Sequence, residues 1–168
     1  MIAVVPGTFD PITLGHLDII RRTAELCSRV VVAVGTAPGK SCWFSVEERC
    51  ELVVAACAGL AGVQVDKLDG LLVHYAQDHG AAVVVKGLRS VSDFDYELQM
   101  AQVNRQLGPE IETLFLATSA EHAYLSSSVA RELAQYGGSL DQIVPPCVIE
   151  PLRHRAAARQ REGHHPTA

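Results

Sequence analysis

Several things are missing from this chain, and each absence narrows what it can be. No apolar run approaches the ~20 residues that a membrane helix needs. Met1–Pro6 carries neither a basic leader nor a long apolar segment, so no signal peptide is expected and the expected location is the cytoplasm. Basic charge is not in excess: 14 Lys and Arg stand against 19 Asp and Glu, a net charge of −5, which argues against a broad nucleic-acid-binding face. No CxxC pair occurs. The five cysteines, Cys27, Cys42, Cys50, Cys57 and Cys147, are odd in number, which fits reduced thiols better than a zinc site or a disulfide frame. Neither G-x-x-x-x-G-K-[ST] nor G-x-G-x-x-G is present, so a phosphate would have to be held by some other loop. Lysine is scarce as well, with only Lys40, Lys67 and Lys86 beside eleven arginines. What the chain does have is apolar content, 48% of 168 residues with 20% charged, enough to build a core.

Strand-like and helix-like segments alternate. Short valine-rich runs at Ile2–Val5, Val30–Val34, Val63–Val65, Ala82–Val85 and Thr113–Ala117 read as buried parallel strands. Between them, Thr13 caps a helix running to about Cys27, and Ser45 with Glu48 forms the S-x-x-E box of a helix reaching about Ala58. A shorter helix near Leu71–His79 stops at Gly80. Ser92 opens one ending before Gly108-Pro109. The run Ser126–Ser128 opens another, closed by Gly137-Gly138, and a last helix starts near Pro145-Pro146. Residues 1–159 read as one domain and 160–168 as a disordered tail. Alternation of this kind predicts an α/β fold, a doubly wound parallel sheet of five strands, with ligands bound beyond the carboxyl ends of the strands.

The segments after those strands carry the chemistry. After the first comes Pro6-Gly7-Thr8-Phe9-Asp10-Pro11-Ile12-Thr13-Leu14-Gly15-His16. Its T-x-G-H stands at the mouth of a helix, where free N–H groups and a partial positive charge suit phosphate. Gly15 leaves room for a close approach, and His16 in the first turn can aim a ring N–H at a phosphoryl oxygen. Taken alone, T-x-G-H also reads as a turn, a helix cap and a surface histidine. After the second strand, Gly35-Thr36-Ala37-Pro38-Gly39-Lys40 ends in a cation that is either a mobile phosphate ligand or a solvated lysine. Lys86 ends the fourth strand, where a buried cation needs an anion. Leu71-Leu72, after the third, read equally as plain helix core.

The loop Gly7–His16, the segment Lys86-Gly87-Leu88-Arg89 with Asp93-Phe94-Asp95-Tyr96-Glu97, and Ser126-Ser127-Ser128 followed by Arg131 resemble, in that order, three motifs of the phosphopantetheine adenylyltransferase family. That family lies within the HxGH nucleotidyltransferases, which share a Rossmann-like fold. The likeness covers about residues 2–150. Many members carry Arg where this chain has Lys86, and a lysine gives a point charge in place of a bidentate fork.

The resemblance implies transfer of AMP from ATP to 4′-phosphopantetheine, giving dephospho-coenzyme A and pyrophosphate. It also implies Mg²⁺ carried with ATP, a homohexamer, and coenzyme A as a feedback ligand. His16 and Lys40 are then the catalytic pair. Thr8, Lys40, Leu72 and Lys86 hold the acceptor. Thr8, Phe9, His16, Gly87, Leu88, Arg89, Glu97 and the stretch His122, Ala123, Tyr124, Leu125, Ser126, Ser127 and Ser128 hold ATP. Contacts around His122 would run through backbone atoms, and no carboxylate cluster stands out as a metal site. The loop of Lys40 is expected to close over ligand and to move Trp43 with it. Two rivals remain: an HxGH enzyme using CTP or a mononucleotide acceptor, and a non-catalytic sensor of a coenzyme A metabolite.

Overall fold

The computed structural model describes residues 1–36, 39 and 41–162. The valine-rich runs form β1 (Ile2–Gly7), β2 (Arg29–Gly35), β3 (Val63–Leu68), β4 (Val83–Leu88) and β5 (Glu112–Ala117). They pair into one parallel sheet in the order β3-β2-β1-β4-β5. The strands extend past the apolar runs because the ladder is made by backbone groups, whatever the side chains. Lys86 therefore lies inside β4, paired with Phe115, and the ladder continues to Leu88 and Ala117.

Among the described residues, α1 (Leu14–Leu26), α2 (Val46–Ala56), α3 (Leu72–Asp78) and α4 (Val91–Leu107) link the strands, and α5 (Ser127–Gln135) and α6 (Pro146–Glu162) follow β5. One face of the sheet, with Val5, Val32 and Val85, packs on Ile19, Ile20, Leu52, Val53, Ala130, Val148 and Leu152 of α1, α2, α5 and α6. The other, with Val4, Val31 and Val84, packs on Val73, Tyr75 and Ala76 of α3. Central strands covered on both sides need apolar residues at consecutive positions, which is why β1 and β2 read as unbroken valine runs.

Caps set where the helices start. Thr13 and Ser45 each receive the N–H of the third helical residue, while His16 and Glu48 reach back to the cap N–H. The start of α4 corrects the expectation for Ser92. Ser90 is the cap, accepting from the Asp93 N–H, and Ser92 sits in the first turn. The first three residues of the expected tail are helical, since α6 continues through residues 160–162; residues 163–168 lie outside the described residues. Residues 152–162 contain no Gly or Pro, and Leu152 and Ala156 bury one face of the helix, so nothing stops it at 159. Pro146 supplies the fixed φ that suits a first helical position.

Between β1 and β4 the strand order reverses. The chain leaves β1 toward β2 and β3 on one side, and returns through β4 to β5 on the other. In open sheets that switch point leaves a crevice beyond the strand ends.

Candidate active site

A cleft of about 790 Å³ opens at that crevice. Its wall brings together Thr8, Phe9 and Gly15–His16 from the loop after β1, Lys86 and Gly87 of β4, Arg89, Glu97 of α4, and Leu125–Ser128 before and within α5. Three stretches far apart in sequence thus meet in one site.

The loop after β1 is shaped by an unusual phenylalanine. Phe9 has φ +49°, a left-handed conformation uncommon for a non-glycine residue, and this folds its ring back over Gly7. A Cβ on Gly7 would stand 2.7 Å from the Phe9 ring, so glycine is required there. The ring is buried and meets His16 edge-on, centroids 5.2 Å apart. Phe9 therefore offers a ligand its backbone, and supports His16 with its side chain.

His16 is oriented by its own helix cap. Its Nδ1 accepts the Thr13 N–H at 3.0 Å, with Thr13 Oγ1 at 2.9 Å. That acceptor role assigns the proton to Nε2, so the ring is an N–H donor at its free end. Burial, then the nearby Arg89 charge, pushes its pKa down to about 4. At neutral pH His16 is an uncharged donor, which suits hydrogen bonding and not proton delivery.

The cations of the cleft are already partnered. Lys86 Nζ lies 3.0 Å from a Glu97 carboxylate oxygen. Arg89 donates to Asp93 through Nε at 2.9 Å and Nη2 at 3.2 Å, and to the Leu125 carbonyl through Nη1 at 3.1 Å. Its hydrogen bonds hold the Asp93 carboxyl below the usual range. Arg131 donates to the Asp10 carbonyl, to the Asp10 carboxylate at 3.2 Å and to Ser128 Oγ at 3.2 Å. Fixed in this way, Arg89 and Arg131 can face an anion with little reorganisation.

All three serines at the start of α5 have their hydroxyls engaged. Ser126 Oγ accepts the Val129 N–H, Ser127 Oγ donates to the Pro11 carbonyl at 2.8 Å, and Ser128 Oγ receives Arg131. The free donors are the backbone N–H groups of Ser127 and Ser128 in the first turn of α5, the arrangement that suits a phosphate.

Comparison with known proteins identifies the family. Residues 4–133 match the cytidylyltransferase-like family. A phosphopantetheine adenylyltransferase from a Synechococcus species is 53% identical over 155 residues, covering 92% of this chain and 98% of that protein. Those of Nostoc punctiforme and Caldanaerobacter subterraneus are 56% and 49% identical, covering 87% and 92% of this chain and 80% and 96% of theirs. The chain belongs to the phosphopantetheine adenylyltransferase family. Its fold is shared more widely. A Plasmodium falciparum nicotinic acid mononucleotide adenylyltransferase, solved with NaAD, superposes with a TM-score of 0.64 at 15% identity, covering 89% of this chain and 92% of that one.

Not every residue expected from the resemblance to phosphopantetheine adenylyltransferases lies on the cleft. Leu72 opens α3 and packs on the far face of the sheet, as helix core does. Leu88 ends β4 off the cleft wall. His122, Ala123 and Tyr124 form a 3₁₀ turn and its exit beside α1, with Tyr124 exposed and the His122 carbonyl accepting the Leu125 N–H. That carbonyl lies 3.5 Å from where a Gly15 Cβ would be, an ordinary contact. Gly87 is glycine for another reason: a Cβ would fall 2.8 Å from Ile19 Cγ1, where α1 crosses β4. Lys40 lies outside the described residues. Trp43, three positions on, is half-buried against the core, with the guanidinium carbons of Arg131 and Arg159 6.0 and 5.4 Å from its ring centroid.

Asp10 and Arg49 are two of the buried charges that escaped the sequence reading. Asp10 accepts the Trp43 N–H at 2.8 Å and the Phe44 N–H at 2.9 Å. Arg49, 2% exposed, donates to the carbonyls of Thr8 at 2.6 Å, Gly35 at 2.7 Å and Phe44 at 3.2 Å. Its signal was available: position 49 shares the apolar face of α2 with Leu52 and Val53, where a charge needs partners.

Proposed function

We propose that this cleft carries out its family's reaction, the transfer of AMP from ATP to 4′-phosphopantetheine with release of pyrophosphate, through positioning and hydrogen bonding. The observation that carries the reading is His16. Its Nδ1 is taken up by Thr13, its pKa lies near 4, and its Nε2–H is the one end free to act. Such a group is a donor for developing charge and a poor general acid.

No base is required. The acceptor is a phosphate monoester with a second pKa of about 6, so at neutral pH it already presents an oxyanion. That oxygen attacks the α-phosphorus of ATP. The bond from the α-phosphorus to the bridging oxygen breaks, and the electron pair leaves with pyrophosphate. The problem is charge, because an anion must approach a polyanion. His16 with the Thr8 N–H faces the α-phosphate, while Arg89, Arg131 and the Ser127 and Ser128 N–H groups hold the β- and γ-phosphates. The backbone of Gly87 on the cleft wall lies along the nucleotide, and Glu97 reaches the sugar. Lys86 and Lys40 hold the acceptor's phosphate, Lys86 shifting its bond from Glu97 toward it.

Among the described residues no three His, Cys, Asp or Glu side chains gather to hold a metal. Asp93 and Glu97 on the cleft wall are paired with cations, and Asp10 also receives two backbone N–H groups. We infer that Mg²⁺ rides on the phosphates of ATP with water. Coenzyme A shares the product's arm and diphosphate and would compete for the same cleft. Among the described residues no helix is long and apolar enough to cross a membrane. The reading assigns the reaction to the cytoplasm, where ATP is available.

The test is a panel. Pyrophosphate release is followed with ATP or CTP as donor, and 4′-phosphopantetheine or nicotinamide mononucleotide as acceptor. Turnover only with ATP and 4′-phosphopantetheine is expected. Preference for another pair, or binding without turnover, would select one of the rivals.

A further inference from the structure

The loops after β1 and β2 meet at one buried carboxylate. Asp10 is 3% exposed and sits on the phosphate loop, two residues past Thr8. Its oxygens receive the Trp43 N–H at 3.1 and 2.8 Å, the Phe44 N–H at 2.9 Å and Arg131 at 3.2 Å. Neither backbone N–H has an intrahelical partner, because both residues precede the first turn of α2. Arg49 ties the same two loops together from behind, through the carbonyls of Thr8, Gly35 and Phe44. Just upstream of the clamped amides, Ser41 and Cys42 form part of the cleft wall.

We propose that Asp10 is a positioning residue for the acceptor: by holding the Trp43 and Phe44 amides it sets where Ser41 and Cys42 stand on the cleft wall relative to Thr8 and His16. Asp10 itself touches no substrate. The clamp converts the separate loops of β1 and β2 into one frame, so that a phosphate held by the second faces an α-phosphate held by the first. Reactions that depend on alignment are sensitive to this, since a misplacement of about 1 Å can cost on the order of 100-fold in rate. The proposal rests on the reading of Lys40 as an acceptor ligand.

Asp10→Asn keeps the shape but replaces one acceptor oxygen with an NH₂ group, which would face the Trp43 N–H or the Arg131 guanidinium. Its kcat/KM for 4′-phosphopantetheine is expected to fall on the order of 100-fold, with the Kd for ATP, measured by calorimetry, changed by less than about threefold. A merely structural role would weaken both substrates alike, and that result would overturn the proposal. A cycle with Lys40→Ala is more specific. The cost of removing Lys40 should shrink from about 100-fold in the wild type to below about tenfold beside Asp10→Asn, because the loop is already displaced. Costs that simply multiply would overturn it. If the wild type makes no dephospho-coenzyme A, the functional reading fails. If the wild type is active and Asp10→Asn keeps its kcat/KM, this inference alone fails. Should Asp10→Asn not fold, amide exchange in the ligand-free wild type decides the matter. Trp43 and Phe44 should be protected by about 100-fold or more over free peptide, and exchange at the free-peptide rate would refute the clamp.

Discussion

At His16 two demands meet in one ring: Nδ1 closes the cap of α1, and Nε2–H faces the cleft. His16→Ala should lower kcat on the order of 10²- to 10³-fold, with the Kd for ATP changed by only a few-fold, because the donor acts where charge develops. A kcat within about threefold of wild type would remove His16 from this role. The depressed pKa has a consequence for pH. The folded state favours the neutral ring, with a pKa near 4 against an ordinary 6.5, so the unfolded chain binds the proton more readily between those values. The stability contributed by neutral His16 is complete above about pH 6.5, and is lost as pH falls toward 4. Denaturant melts at pH 7 and pH 4.5 should show a larger loss in the wild type than in His16→Gln. Equal losses would place the pKa elsewhere. Lys86 is tested separately: Lys86→Ala should raise KM for 4′-phosphopantetheine by about tenfold or more, and affect ATP less. Equal effects on the two substrates would contradict its assignment to the acceptor.

The elements show how tightly the site is bound to the packing beneath it. Gly87 forms part of the cleft wall on β4, and its missing side chain is where Ile19 of α1 sits. Ile19 is β-branched and stiff, so an alanine at 87 must push the helix. Gly87→Ala should cost about 1–3 kcal/mol in urea unfolding, and adding Ile19→Val should recover part of it. No recovery in the double variant would mean that α1 and β4 do not press on each other there. Much of this element level was readable beforehand. Valine runs specify buried parallel strands, and Thr13 and Ser45 mark helix starts by a local bond that a sequence displays directly. What stayed hidden was made by distant partners. Asp10 reaches 33 residues along the chain to Trp43, and Arg49 reaches 41 back to Thr8, and nothing local announces such bonds. Ser92 read as the cap of α4, but Ser90 holds that place, accepting the Asp93 N–H. Leu72 read equally as core or as a ligand contact, and the far face of the sheet claims it.

At the scale of the molecule, α4 stands out because it buries none of its residues. Phe94 and Leu98 on one stripe, and Tyr96, Met100, Val103 and Leu107 on another, are all more than a third exposed, as is Leu114 on the neighbouring β5. An apolar area of that kind marks a contact surface. The hexamer that the resemblance to phosphopantetheine adenylyltransferases implies would cover this surface with further copies of the same chain. Light scattering at micromolar concentration should give about six times the 18.1 kDa chain mass. Val103→Glu should lower that mass while leaving the circular dichroism unchanged. A monomeric wild type would reject the assignment. The central claim concerns chemistry without a protein nucleophile or base, and one single-turnover experiment tests it. With enzyme in excess over ATP, no pyrophosphate should form until 4′-phosphopantetheine is added. From then on, one dephospho-coenzyme A should appear for each pyrophosphate. Pyrophosphate released from ATP alone, with AMP left on the protein, would contradict direct transfer.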